Sequence, residues 1–233
     1  MSTSSNIYEI RLREEFKNLR KLQRHQEMQK YVEIQYADRN YGGRHSILED
    51  PRAMNLYPET YYVKYTLPVY LDRGRLDRNW SGVFTIKVSE STFLDLNERG
   101  PSQLDLDCSN GVPFNHHVHE DHFCHGGVWS VSKEFGLWYF VIGIGGLLNQ
   151  EEIWMDDSGS GHHSLAAYEY WRKDRRKQPI SVINWPFDLN EGLVISEEES
   201  TPAKGKFKIG ATKTFNISEQ TPPKKASFTI KKP

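Results

Sequence analysis

The run from Leu137 to Leu148 carries no charged residue and is apolar on every face. Such a segment has no side to offer water, so the fold must wrap around it. Its twelve residues fall well short of the ~20 needed to span a bilayer, which leaves the middle of a folded domain. It is long for a strand and reads as a buried helix laid against a sheet, although each of its three glycines weakens a helix by ~1 kcal/mol.

The sheet to receive it is written upstream. Tyr61–Leu67 is aromatic and β-branched and is bounded by Pro68. Gly82–Val88 and Gln103–Cys108 alternate apolar with polar residues, the pattern of half-buried strands. The second of these puts Leu104, Leu106 and Cys108 on one face, so Cys108 reads as a small core residue. Arg73–Asn79 between the strands is a turn with exposed charge, and the short spacings fit an antiparallel meander.

Helices flank this sheet. Asn6 is the expected N-cap of a first helix, with Ile10, Leu12, Phe16, Leu19 and Leu22 as its apolar stripe. Arg11, Arg13, Lys17, Arg20, Lys21 and Arg24 crowd the other faces, either as a solvated surface or as a dock for an acidic partner. Asn40–Pro58 is an extended loop rich in turn formers. Downstream, Ser164 caps a helix running to Lys177, with Leu165, Ala166, Tyr168 and Trp171 on its apolar side. Asn184–Leu189 is expected to pack back through its aromatics. Beyond it the composition shifts to Ser, Thr, Pro and Lys. The expected organisation is one α/β (α+β) domain over residues 6–190 and a polar, basic, flexible tail over 191–233.

Composition excludes several classes. A formal charge of −1 gives no general hold on nucleic acid. Two cysteines cannot build a disulfide framework, which points to free thiols and a reducing compartment. The start, Met1 to Asn6, lacks the basic region and apolar run of a secretory leader, so a soluble cytoplasmic protein is expected.

Chemistry concentrates between Asn115 and Trp129, which hold five of the nine histidines and Cys124. A cysteine among imidazoles, followed by Gly126 and Gly127, can be a thiolate nucleophile helped by its neighbours. It can equally be one of a set of nitrogen and sulfur metal ligands.

The order of helix, meander, irregular His/Cys stretch, buried helix, acidic loop and helix resembles the ubiquitin-conjugating enzyme fold. Arg11–Leu19 looks like that family's opening helix, which contacts the activating enzyme, and Arg11, Arg13, Lys17 and Arg20 would make the contact. Pro113–Val118 lies where the family's His-Pro-Asn motif falls, shortly before the catalytic cysteine, here Cys124, with Trp129 at the distance of the family's tryptophan. Asp156 and Asp157 stand where the family often carries acidic residues beside the thioester. The chain departs from the pattern in having Asn115-His116-His117 in place of His-Pro-Asn and one helix in place of two after the acidic loop. In both it is similar to the divergent conjugating enzymes of bacterial defence operons.

The resemblance implies a cofactor-independent transferase. It would take a ubiquitin-like modifier from an activating enzyme onto Cys124 as a thioester and pass it to an amine of a target protein. By position His117 is the first choice for the oxyanion donor, His119 the second and Asn115 the third. Asp156 or Asp157 would orient or deprotonate the incoming lysine, or equally would serve as a capping or loop residue before the helix that follows. His116 reads either as a buried turn residue or as catalytic, His122 and His125 as solvent-facing, and His162 and His163 as lying at the start of a helix.

Two other readings stay open. His117, His119, His122, Cys124 and His125 could ligate zinc, although they fall within nine residues and zinc sites draw ligand pairs from separated segments. The same fold could also bind a ubiquitin-like protein without catalysis, with Cys124 incidental.

Overall fold

The computed structural model describes residues 3–39, 43–49, 57–94, 101, 104–119, 122–125, 127–151, 164–174 and 179–189. The Asp156–Asp157 loop, His162, His163 and the 191–233 tail lie outside the described residues.

The class is mixed α and β. A seven-stranded antiparallel sheet is built from β1 (Val32–Ala37), β2 (Arg44–Ser46), β3 (Thr60–Thr66), β6 (Ser81–Lys87), β7 (Leu104–Asp107), β8 (Val118–His119) and β9 (His122–Phe123). Its order is β2-β1-β3-β6-β7-β9-β8. Between β3 and β6 the chain makes a small separate hairpin, β4 (Val69–Tyr70) with β5 (Leu76–Asp77). The expected meander is therefore present as β3-β6-β7 and is extended on both sides.

Period-two alternation explains the inner face. Val32, Ile34 and Tyr36 of β1, Tyr61, Val63 and Tyr65 of β3, Phe84 and Ile86 of β6, and Leu104 and Leu106 of β7 are all buried. Register aligns Ile34, Val63, Phe84 and Leu106 in one row across four strands. Phe84 meets Tyr65 and Phe123 edge to face, with centroids 5.3 and 5.1 Å apart.

Three sequence expectations need correction here. Asn6 is not the N-cap, because α1 spans Thr3–Arg24 and Asn6 lies inside it. Ile10 does not join the stripe; it is 52% exposed, and Tyr8 with Leu12, Phe16, Leu19 and Leu22 forms the buried face. The 40–58 segment is not wholly loop, since β2 pairs with Gln35–Ala37 of β1. Where β2 stops short, Gln23 of α1 takes the place of a strand. Its amide donates to the Val32 carbonyl at 3.0 Å, and its carbonyl accepts from the Ile34 N–H at 2.6 Å.

The apolar run forms α4 (Leu137–Leu148) with the expected bounds, buried on nearly every residue. The Tyr65 hydroxyl donates to the Val141 carbonyl at 2.7 Å and ties the middle of the helix to the sheet. At its start, Gly136 adopts φ +105°, and the buried Glu15 of α1 accepts from the Leu137 N–H at 2.8 Å. One orphan donor of the helix N-terminus is thus capped from another element. Near its end, a side chain on Gly145 would collide with the Trp185 indole, which explains one of the helix-weakening glycines. Trp185 is buried and donates to Glu151 at 2.5 Å, so the 179–189 segment packs back through this one aromatic, while Phe187 is exposed and does not join it. No helix among the described residues is long and apolar enough to cross a membrane.

Candidate active site

The His/Cys stretch folds as a hairpin at one edge of the sheet. Val118 pairs with Phe123 and His119 with His122, and β9 is joined to the parent sheet through Leu104–Phe123 and Asp105–His122. Val118 and Phe123 are buried and anchor the hairpin to the core. Immediately outside this pair, the Cys124 N–H donates to the His117 carbonyl at 2.8 Å. Hairpin register therefore brings together a histidine and a cysteine seven positions apart in the chain.

The turn that feeds the hairpin is fixed from three sides. Asn115 is 2% exposed; its amide donates to the Leu147 carbonyl at 2.7 Å, and its side-chain oxygen accepts from the His117 N–H at 2.9 Å. The first bond satisfies a carbonyl at the C-terminal end of α4, and the second closes a local turn of the kind asparagine favours. The His116 carbonyl accepts from the Ser164 N–H at 3.3 Å. Ser164 also caps α5 (Leu165–Asp174) through the Ala167 N–H at 3.4 Å, as expected for a serine at that position. His116 and His117 are each 3% exposed, with ring centroids 4.2 Å apart. The His116 ring also meets Tyr168 at 5.9 Å, and the His117 ring meets Phe123 at 6.4 Å.

Cys124 is half-buried, as is Cys108. The surroundings of Cys108 are those of a structural thiol. It packs on the core, and burial, with the Asp107 carboxylate adding to it, pushes its thiol above the usual range. His125 corrects an expectation, for it is half-buried rather than solvent-facing. Its Nε2 lies 3.0 Å from the Pro101 carbonyl and its ring is edge-on to Phe140. Trp129, in α3 (Val128–Ser132), is a core residue against Phe140 and against Phe93 of α2 (Glu90–Leu94).

The turn and hairpin thus gather Asn115, His117 and Cys124. His119 shares the hairpin backbone, and Asp156 and Asp157 lie outside the described residues. Among the described residues, no three His, Cys, Asp or Glu side chains converge as metal ligands.

Four basic residues of α1 are engaged within the chain. Arg11 pairs with Glu15 at 2.7 Å and lies over the Phe93 ring at 5.4 Å. Arg13 lies over Tyr57 at 5.2 Å, Lys17 pairs with Glu14 at 2.9 Å, and Arg20 donates to the Leu48 carbonyl at 3.2 Å. Glu15 is a residue that sequence reasoning passes over. Its signal is a carboxylate in the buried stripe, three residues after Leu12 and four before Leu19. Compared with known proteins, the chain matches no family model, no curated protein and no solved structure.

Proposed function

We propose that the protein is a ubiquitin-conjugating-type transferase, of the kind found in bacterial defence operons, with Cys124 as its thioester-forming residue. The observation that carries this reading is the partly exposed Cys124, hydrogen-bonded through its backbone to His117 at the edge of a buried Asn115-His116-His117 turn. The thiolate of Cys124 attacks the carbonyl of a modifier held as a thioester on an activating enzyme and expels that enzyme's thiolate. An amine of the target protein then attacks the new thioester, forms an amide, and releases the Cys124 thiolate. Both steps pass through an oxyanion.

A fixed donor beside the sulfur stabilises such an oxyanion by roughly 2.7–4 kcal/mol in other acyl-transfer enzymes. His117 is the first candidate for that donor and His119 the second. Asn115 is placed to hold the turn, because its side chain already joins Leu147 to His117.

The test is a non-reducing gel of the protein with its activating enzyme, modifier and ATP. A band at the summed mass, lost with thiol reductant and in Cys124→Ala but kept in Cys108→Ala, is the expected result. Absence of the band in the wild type, or its persistence in Cys124→Ala, would refute the thioester reading.

A further inference from the structure

The β4–β5 hairpin lies beside the candidate site and is fastened through Phe114, next to Asn115, and through Tyr170 of α5. The Phe114 N–H donates to the Tyr70 carbonyl at 2.6 Å, directly before Asn115. The Tyr170 hydroxyl of α5 donates to the Arg73 carbonyl at 2.9 Å, and the Arg73 guanidinium lies over the Tyr170 ring at 5.7 Å. Tyr170 in turn meets Phe114 edge to face at 5.7 Å. On the other flank, Trp80 Nε1 donates to the Gly111 carbonyl at 2.8 Å and holds the loop that faces the hairpin.

Between hairpin and loop is a cleft of about 460 Å³ lined by Leu71, Arg75, Leu76, Asp77, Arg78 and Asn110. Its charges divide unequally in function. Asp77 accepts from the Asn79 N–H at 2.9 Å. The neighbouring Asp72 accepts from the Gly74 and Arg75 N–H groups, which together with the nearby Arg75 charge hold its carboxyl below the usual range. Both carboxylates thus serve the turns of the hairpin itself. Arg75 and Arg78 are exposed and form no salt bridge among the described residues. Two guanidiniums that line a cleft together with the half-buried Leu71 and Leu76 offer bidentate donors for carboxylates and apolar surface for the side chains between them.

We infer that this cleft docks an acidic, apolar-interspersed segment of the target protein whose amine is brought to Cys124. The inference rests on the transferase reading for the identity of the partner, and its test does not use that reaction. Full-length protein is titrated into a short fluorescein-labelled peptide that alternates Glu with Leu, and anisotropy is followed at low and moderate salt. Binding is expected to weaken with salt and to fall roughly tenfold in the Arg75→Glu, Arg78→Glu double variant, where two exposed ion pairs become repulsive. Lys87→Glu, which removes a cation paired with Asp105 on the sheet, and Cys124→Ala should leave it unchanged.

No binding, equal binding by the double variant, or equal binding of a peptide with Gln for Glu would overturn the site. Displacement of the peptide by inorganic polyphosphate at far lower concentration would overturn its assignment to a protein segment. A thioester on the gel without peptide binding refutes the docking cleft alone. Peptide binding without a thioester refutes the transfer chemistry and the partner it implies, and leaves an acidic-peptide site.

Discussion

Tyr61 carries a hydroxyl that is fully buried and, among the described residues, has no hydrogen-bond partner. Burial, with the Glu15 carboxylate next in effect, drives its ionisation well above the usual range, so the group stays a neutral phenol. Tyr61→Phe keeps the ring and removes the unmatched oxygen. It should raise stability by about 1 kcal/mol in urea denaturation, whereas a loss of that size would mean that the hydroxyl has a partner. Glu15 gives a second test at the same scale. Its carboxyl is raised mainly by burial, against the lowering effects of Arg11 and the Leu137 N–H. A raised carboxyl binds its proton more tightly folded than unfolded, so its contribution is full below the unfolded value of about 4.5 and is lost as pH rises through the folded value. Wild type measured against Glu15→Gln should therefore lose relative stability between pH 4.5 and neutrality; a gain over that window would reverse the assigned cause.

Among the elements, α4 shows how a low-propensity sequence is used. Gly145 weakens the helix by ~1 kcal/mol relative to alanine, yet a methyl group there strikes the indole of Trp185. Gly145→Ala should thus destabilise by about 1–2 kcal/mol in spite of its better helix propensity, and Trp185→Leu in the same chain should recover part of the loss. Thermal melts of the two variants decide the matter: stabilisation by Gly145→Ala alone would mean that the 179–189 segment does not rest there. The same helix was the most legible element, because twelve apolar residues leave a chain one way to hide them. β3, β6 and β7 were legible because alternation marks one buried face. β1 carries the same alternation, with Val32, Ile34 and Tyr36 set apart by Glu33 and Gln35, so its signal is present and passed over, whereas β2 has only three residues to signal itself. Asn6 misled because a good capping residue also tolerates a helix interior, and Ile10 because a charged helix can expose an apolar residue without penalty enough to exclude it. In the candidate site, the Asn115-His116-His117 turn and Cys124 were visible as a cluster of residue types. Their union through the Cys124 N–H and His117 carbonyl depends on hairpin register, which local composition does not encode.

At the scale of the molecule, α4 connects two polar ties. At one end Glu15 of α1 holds the Leu137 N–H, and at the other Asn115 holds the Leu147 carbonyl and, through its own oxygen, the His117 N–H. The helix around which the core is wrapped thus also sets the turn on which the candidate site rests. Two roles for Asn115 give different signatures in one variant. Asn115→Ala leaves the buried His117 N–H without its partner and takes from the Leu147 carbonyl one of its donors, the Gln150 N–H at 3.2 Å remaining, which should lower stability by about 1–3 kcal/mol. If the residue holds the turn, thioester formation on Cys124 and discharge of that thioester to an amine should weaken together, and cooling or a stabilising osmolyte should restore part of both. If its amide also serves the oxyanion, the chemical steps should slow by more than the stability loss accounts for, and neither treatment should recover that excess. Urea denaturation measured beside single-turnover discharge separates the two, and the hydrogen bonds from both ends of the Asn115 side chain favour the first.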